Sequence, residues 1–213
     1  MKTDDFVIAL AREAGPALQN VGAKRFSLAV AIGMLASILL MLATLGSRPD
    51  LAAALAMPKF WMKVAFAGAM AVAGYFAMAR LGRPGVRPGL MPVWIALPVV
   101  LIWLVIAFVL FSAAPAERLH LLLGQTWMVC PFLIAMLSAP FLVTAFWAMQ
   151  GLAPTRLNIA GAATGLFAGA LGALVYSLHC AEMEAPFIGT WYLLGILIPT
   201  GIGALAGRVL LRW

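Results

Sequence analysis

Charge is what this chain has least of. Of its 213 residues 10% are charged, against 65% hydrophobic, and the mean hydropathy is +1.06. A water-soluble domain carries roughly a quarter of its residues charged, so that class is excluded. The placement of the two histidines and seven acidic residues argues against ion-coupled transport. Pumps and coupled carriers keep ionisable groups at mid-membrane depth, whereas every Asp, Glu, Lys, Arg and His here lies near an end of an apolar run. Phosphate-cradling glycine loops, zinc-hydrolase helices and nucleophile elbows are missing too. No enzyme is expected, and no cofactor is required. Cysteine is limited to Cys130 and Cys180, which rules out a disulfide-dense scaffold and singles out two thiols.

What is present is a series of long apolar runs. A bilayer core takes about 20 apolar residues per helix, and six runs of that size occur, at about 27–46, 60–80, 91–111, 130–149, 159–179 and 187–207. The expectation is an all-α integral membrane protein with six transmembrane helices in a single domain, 1–213. A cleaved leader is not expected, because a mixed segment of 1–25 precedes a first run long enough to span. Six spans put both termini on one side, and cations are retained on the cytoplasmic side. With the termini inside, that side holds Lys2, Arg12, Lys24, Arg25, Arg80, Arg83, Arg87, Arg156, Arg208 and Arg212, leaving Arg48, Lys59, Lys63 and Arg118 outside. N and C termini are therefore expected to be cytoplasmic, with Lys63 snorkelling outward. The formal charge of +7 reads as this orientation signal; no direct nucleic acid binding follows from it.

Within the runs, Ser37, Ser138, Thr144, Thr164, Thr190, Thr200, Tyr75, Tyr176 and Tyr192 read as ordinary packing and hydrogen-bonding residues. Gly161, Gly165 and Gly169 share one face of the fifth run, and Gly203 and Gly207 repeat the spacing in the sixth. Such stripes let backbones approach closely. Packing within the chain is the first reading and a homodimer face the second. Pro98, Pro140 and Pro199 should kink their helices.

The two cysteines are best placed by depth. Spans four and five form a hairpin, and at ~1.5 Å per residue both thiols stand roughly 30 Å from its inner turn. A disulfide needs Cα atoms within about 7 Å, closer than the ~8–10 Å between packed helices, so pairing requires tapered ends. Cys130 precedes Pro131 and reads as a helix N-cap, where free N–H groups favour a thiolate. Cys180 ends its helix. Cys130 is thus expected to be the more reactive thiol. His120, His179, Glu182 and Met183 fall on the same outer side and are candidate additional ligands for a soft metal ion. His179 and Cys180 point about 100° apart on a helix, so both could hold one ion only at a frayed end. A redox switch, a metal site and a structural disulfide all remain open on residue chemistry.

Several segments in order carry a resemblance. Met1-Lys2-Thr3-Asp4-Asp5, the Arg48-Pro49-Asp50-Leu51 turn, Trp127-x-x-Cys130 with Ser138-x-Pro140, the glycine-rich fifth run closing on Tyr176-Ser-Leu-His179-Cys180, and Leu211-Arg212-Trp213 together resemble the NrsF family. That resemblance spans nearly the whole chain. It implies a multi-pass anti-sigma factor of the bacterial inner membrane, in contact with lipid, that sequesters an extracytoplasmic-function sigma factor on the cytoplasmic side. It also implies that Cys130 and Cys180 sense a heavy metal or redox signal. A sigma-factor contact is expected in the N-terminal segment, where Thr3 can cap a helix bearing Asp4 and Asp5 in its first turn and Phe6 and Leu10 on one stripe. An interfacial helix resting on lipid fits the same pattern. The alternative function is a small metal transporter or membrane thiol oxidoreductase using the same residues.

Overall fold

The computed structural model describes residues 21–86 and 89–212, with side chains from Lys24 onward. The described residues are helical, without a strand. Helix α1 (Val21–Thr44) ends before Gly46, whose φ of 73° turns the chain, a conformation glycine adopts without steric cost. A short α2 (Leu51–Leu55) leads into α3 (Pro58–Leu81), which opens on proline and carries Arg80 in its last turn. Both features suit helix ends, since proline needs no amide partner there and a cation meets the negative dipole end. Helix α4 (Met91–Ser112) follows, then α5 (Pro115–Leu123), which stops at Gly124 (φ 54°). Next come α6 (Cys130–Met149) and α7 (Leu157–Tyr176). The last span starts as α8 (Ala185–Phe187), passes through a π-helical turn (Ile188–Tyr192) and continues as α9 (Leu193–Leu210).

Six of these helical stretches are long and apolar enough to cross a membrane: Lys24–Thr44, Pro58–Leu81, Met91–Ser112, Cys130–Met149, Leu157–Tyr176 and Ala185–Leu210. This is consistent with a multi-pass membrane protein. The fifth stops at Tyr176, short of the expected 179, so Cys180 lies on a connecting segment rather than on the helix. The segment between the third and fourth spans contains the additional helix α5.

Helix α7 is the centre of the bundle. Its apolar stretch is 83% buried, against 11% for α4, which presents Trp94, Leu101, Phe108 and Phe111 outward. Around α7 pack α9, α3 and α6, while α1 leans on α6. The glycines explain how so many helices reach one axis. Gly161 and Gly165 lie against the backbone carbonyls of Gly203 and Pro199, Gly172 against Ser138 of α6, and Gly74 of α3 against Phe167. Where lipid removes the hydrophobic drive between helices, close backbone packing takes its place. Both glycine stripes are therefore used inside the chain, the first of the two readings. Polar links reinforce them. Ser37 on α1 donates to the Leu137 carbonyl at 2.8 Å. At the opposite end from the cysteines, Arg25 donates to the Trp147 carbonyl at 2.6 Å and stacks on its ring, and Arg208 reaches Asn158 at 2.7 Å.

Candidate functional site

Five parts of the chain meet at the cysteine end of the bundle. Cys130 opens α6, with Val129 at the N-cap position and Pro131 behind it. Its amide donates to the Thr126 carbonyl at 2.9 Å. Cys180 follows α7, and its amide still reaches back to the Tyr176 carbonyl at 2.9 Å. Both thiols are free and buried, Cys130 fully and Cys180 to within 3%. The Tyr176 side chain lies beside both thiols, so one phenol marks the point where the two thiols converge. Tyr192, in the π-helical turn, stacks 5.7 Å from the Tyr176 ring. Its hydroxyl approaches Cys180 but completes no hydrogen bond. A buried polar atom without a partner is uncommon, and here it points at the thiol cluster.

A latch of cations holds the Cys180 segment down. Lys63, on the second turn of α3, is completely buried. Its ammonium donates to the Cys180 carbonyl at 2.8 Å and to the Glu182 carbonyl at 3.2 Å. The expected outward snorkelling is thus corrected: two carbonyls of an irregular segment, left without helical partners, draw the ammonium inward. The Arg48 guanidinium adds a bond to the Cys180 carbonyl at 3.3 Å, and its backbone amide donates to the Leu178 carbonyl at 3.2 Å. His179 Nδ1 is 3.0 Å from the Gly46 carbonyl, Lys59 pairs with Glu184 at 2.6 Å, and Glu182 Oε1 accepts from the Gln125 amide at 2.7 Å.

Arg48 is itself oriented by a two-pronged ion pair with Asp50, at 2.7 and 2.6 Å, the geometry that makes such pairs strong. The hydrogen bond to Arg48 lowers the Asp50 pKa, and the same bond raises that of Arg48. A depressed carboxylate pKa contributes stability that is present above the unfolded value, about 3.9, and is lost as pH falls through the folded one. The thermostability advantage of the wild type over Asp50→Asn should therefore hold at neutral pH, begin to fade below about pH 4 and vanish once the pH has passed below the lowered folded value. Melting curves of the two proteins across pH check this; a gap that persists in acid would refute the clamp.

The remaining expected ligands are spread through this end rather than gathered. His120 is exposed on α5, and His179 and Glu182 are engaged as described. Met183 is half-buried on the segment before α8. Among the described residues no group of three or more His, Cys, Asp and Glu side chains could share an ion, so a site at this end would rest on the two sulfurs. Cys130 is a first helical residue, fully enclosed, and Val129 takes the N-cap position that was expected for it. Lys63, Arg48, Tyr176 and Tyr192 were given no part in the site from sequence. One signal was available, a lysine inside the apolar second run. Thr3, Asp4, Asp5, Phe6 and Leu10 lie outside the described residues.

A bundle of six helices long and apolar enough to span a membrane, with two buried thiols beside two tyrosines and cations strapped to the Cys180 segment, is the class of protein that the fold and site define. Comparison with known proteins names the group. The NrsF family model, negative regulator of sigma F, matches residues 10–213, and the chain belongs to that family, a regulatory one of the anti-sigma class. It is 48% identical over the full length of both chains to the probable anti-sigma-F factor NrsF of Azospira oryzae. It is 41% identical, again over the whole of both chains, to the anti-sigma-F factor NrsF of Caulobacter vibrioides. No solved structure matches.

Proposed function

We propose that this protein holds an extracytoplasmic-function sigma factor at the cytoplasmic face of the bacterial inner membrane and releases it when Cys130 and Cys180 take up a soft metal ion or are oxidised. The observation that carries the reading is the convergence of two free, buried thiols beside Tyr176, at the end of the bundle opposite Arg25, Arg80 and Arg208. The cation bias makes the arginine side cytoplasmic and the cysteine side periplasmic. The N-terminal segment, with Thr3, Asp4, Asp5, Phe6 and Leu10, is the proposed sigma-factor contact.

A two-thiolate complex of a divalent ion forms with release of both thiol protons; a disulfide forms by transfer of two electrons and two protons to an external oxidant. Either product must draw the sulfurs together past Tyr176, and either favours whichever conformation allows this. The coupling is reciprocal, so a bound sigma factor should weaken signal binding by the same factor. Helices α6 and α7 both end in this cluster, and their close packing with α9 supports transmission to the far side.

A reporter for the sigma factor's regulon tests the proposal. Deleting the protein should switch the reporter on without a signal, and constitutive silence would refute the anti-sigma reading. Cys130→Ser with Cys180→Ser should keep the reporter off and abolish its induction. Loss of repression in that variant would make the pair structural instead.

A further inference from the structure

A cavity lies away from the thiols, between α3 and α4 at the end carrying the basic residues. It is an open cleft of about 960 Å³. Its wall is apolar, from Ala69 and Val72 through Phe76 to Trp94, and its rim carries Arg80 and Arg83. α4 is the least buried span, and it approaches α3 over a limited contact, so the cleft opens sideways between the two helices. From these features we infer that the cleft is a binding site for an anionic phospholipid, with the phosphate on Arg80 and Arg83 and an acyl chain along Ala69, Val72 and Phe76.

Depth and charge both select this occupant. From Arg80 down to Ala69 the helix descends roughly 17 Å at ~1.5 Å per residue, about the length of an acyl chain. A segment of a water-soluble partner would have to enter the hydrocarbon layer to fill it, leaving its backbone unsatisfied there. Basic pockets between spanning helices on the cytoplasmic side suit anionic headgroups, and arginine matches phosphate oxygens in a two-pronged way. The inference rests on the membrane orientation proposed above but not on sensing by the cysteines.

The test is native mass spectrometry of the full chain in detergent, offered phosphatidylglycerol or phosphatidylcholine of identical acyl composition. The wild type should retain phosphatidylglycerol with at least about tenfold preference. Arg80→Gln with Arg83→Gln should lose the preference, Arg80→Lys with Arg83→Lys should keep most of it, and Ala69→Phe, which fills the cleft and leaves the charges, should lose retained lipid. Excess inorganic phosphate should not displace the lipid. Equal retention of both lipids by the wild type, a preference unchanged in the glutamine variant, retention unchanged in the phenylalanine variant, or displacement by phosphate or by stoichiometric sigma factor would each overturn the inference. Recovery of the protein from cells without detergent would instead overturn the membrane placement.

Discussion

Gly165→Ala protein is expected to melt roughly 10 °C below the wild type, a large effect for a single methyl group. A Cβ at Gly165 would run into the Pro199 carbonyl oxygen and sit 2.8 Å from the Thr200 Cα. Neither neighbour is the end of a flexible side chain, so the helices themselves must separate. Overpacking of this kind costs about 1–3 kcal/mol and occasionally more. Here the upper end is expected, about 3 kcal/mol, because the same displacement loosens Gly161 against Gly203 and Gly169 against the Ile196 carbonyl. Gly201→Ala supplies the control. It sits on the same stretch of α9 with nothing within 4 Å of an added Cβ, and it gains the helix propensity of alanine, worth about 1 kcal/mol. The fraction of detergent-purified protein remaining monodisperse after heating gives both midpoints. A Gly165→Ala midpoint within a couple of degrees of the Gly201→Ala one would refute the close packing of α7 on α9.

Those glycines show how much of this fold was legible in the sequence. Spacing every four residues along an apolar run identified the close-packing face of α7 correctly, because helical periodicity and the absence of a Cβ are local properties. The six long apolar helices were legible for the same reason. The site was readable to a lesser depth. Counting along two helices put Cys130 and Cys180 at one level, and the structure brings both to Tyr176. What spacing could not supply was the company they keep. Lys63 is a snorkelling cation by position, yet its ammonium turns inward to carbonyls that belong to an irregular segment more than a hundred residues later. Tyr192 reaches Cys180 from a π-helical turn, a local widening that single-sequence periodicity does not reveal and that recurs at functional sites. Such partnerships are tertiary, and no window of sequence contains them.

That buried ammonium leads to the second large effect. Lys63→Ala is expected to speed alkylation of Cys180 by N-ethylmaleimide about 10- to 100-fold, measured in a Cys130→Ser background. Hydrogen bonds from a charged donor contribute about 1.5–3 kcal/mol each, and 1.4 kcal/mol is tenfold in an equilibrium. The Lys63 ammonium makes two such bonds, to the carbonyls of Cys180 and Glu182. Because an ammonium freed by opening regains hydration that offsets about half of their strength, their loss raises the population of the locally opened segment by one to two orders of magnitude. Global stability should change far less, because removing Lys63 also removes the cost of burying a cation. Cys130 belongs to the first turn of α6 and is not held by that latch. In a Cys180→Ser background its rate should rise by less than about threefold under the same substitution. Arg48→Gln should produce a smaller acceleration of Cys180, since Arg48 reaches the carbonyl at 3.3 Å while committed to Asp50. Equal acceleration of both thiols would mean general loosening, and no acceleration would mean that Lys63 does not restrain the segment. In cells the Lys63→Ala protein should then induce the regulon at a lower signal concentration, because part of the work of opening the Cys180 segment has already been done.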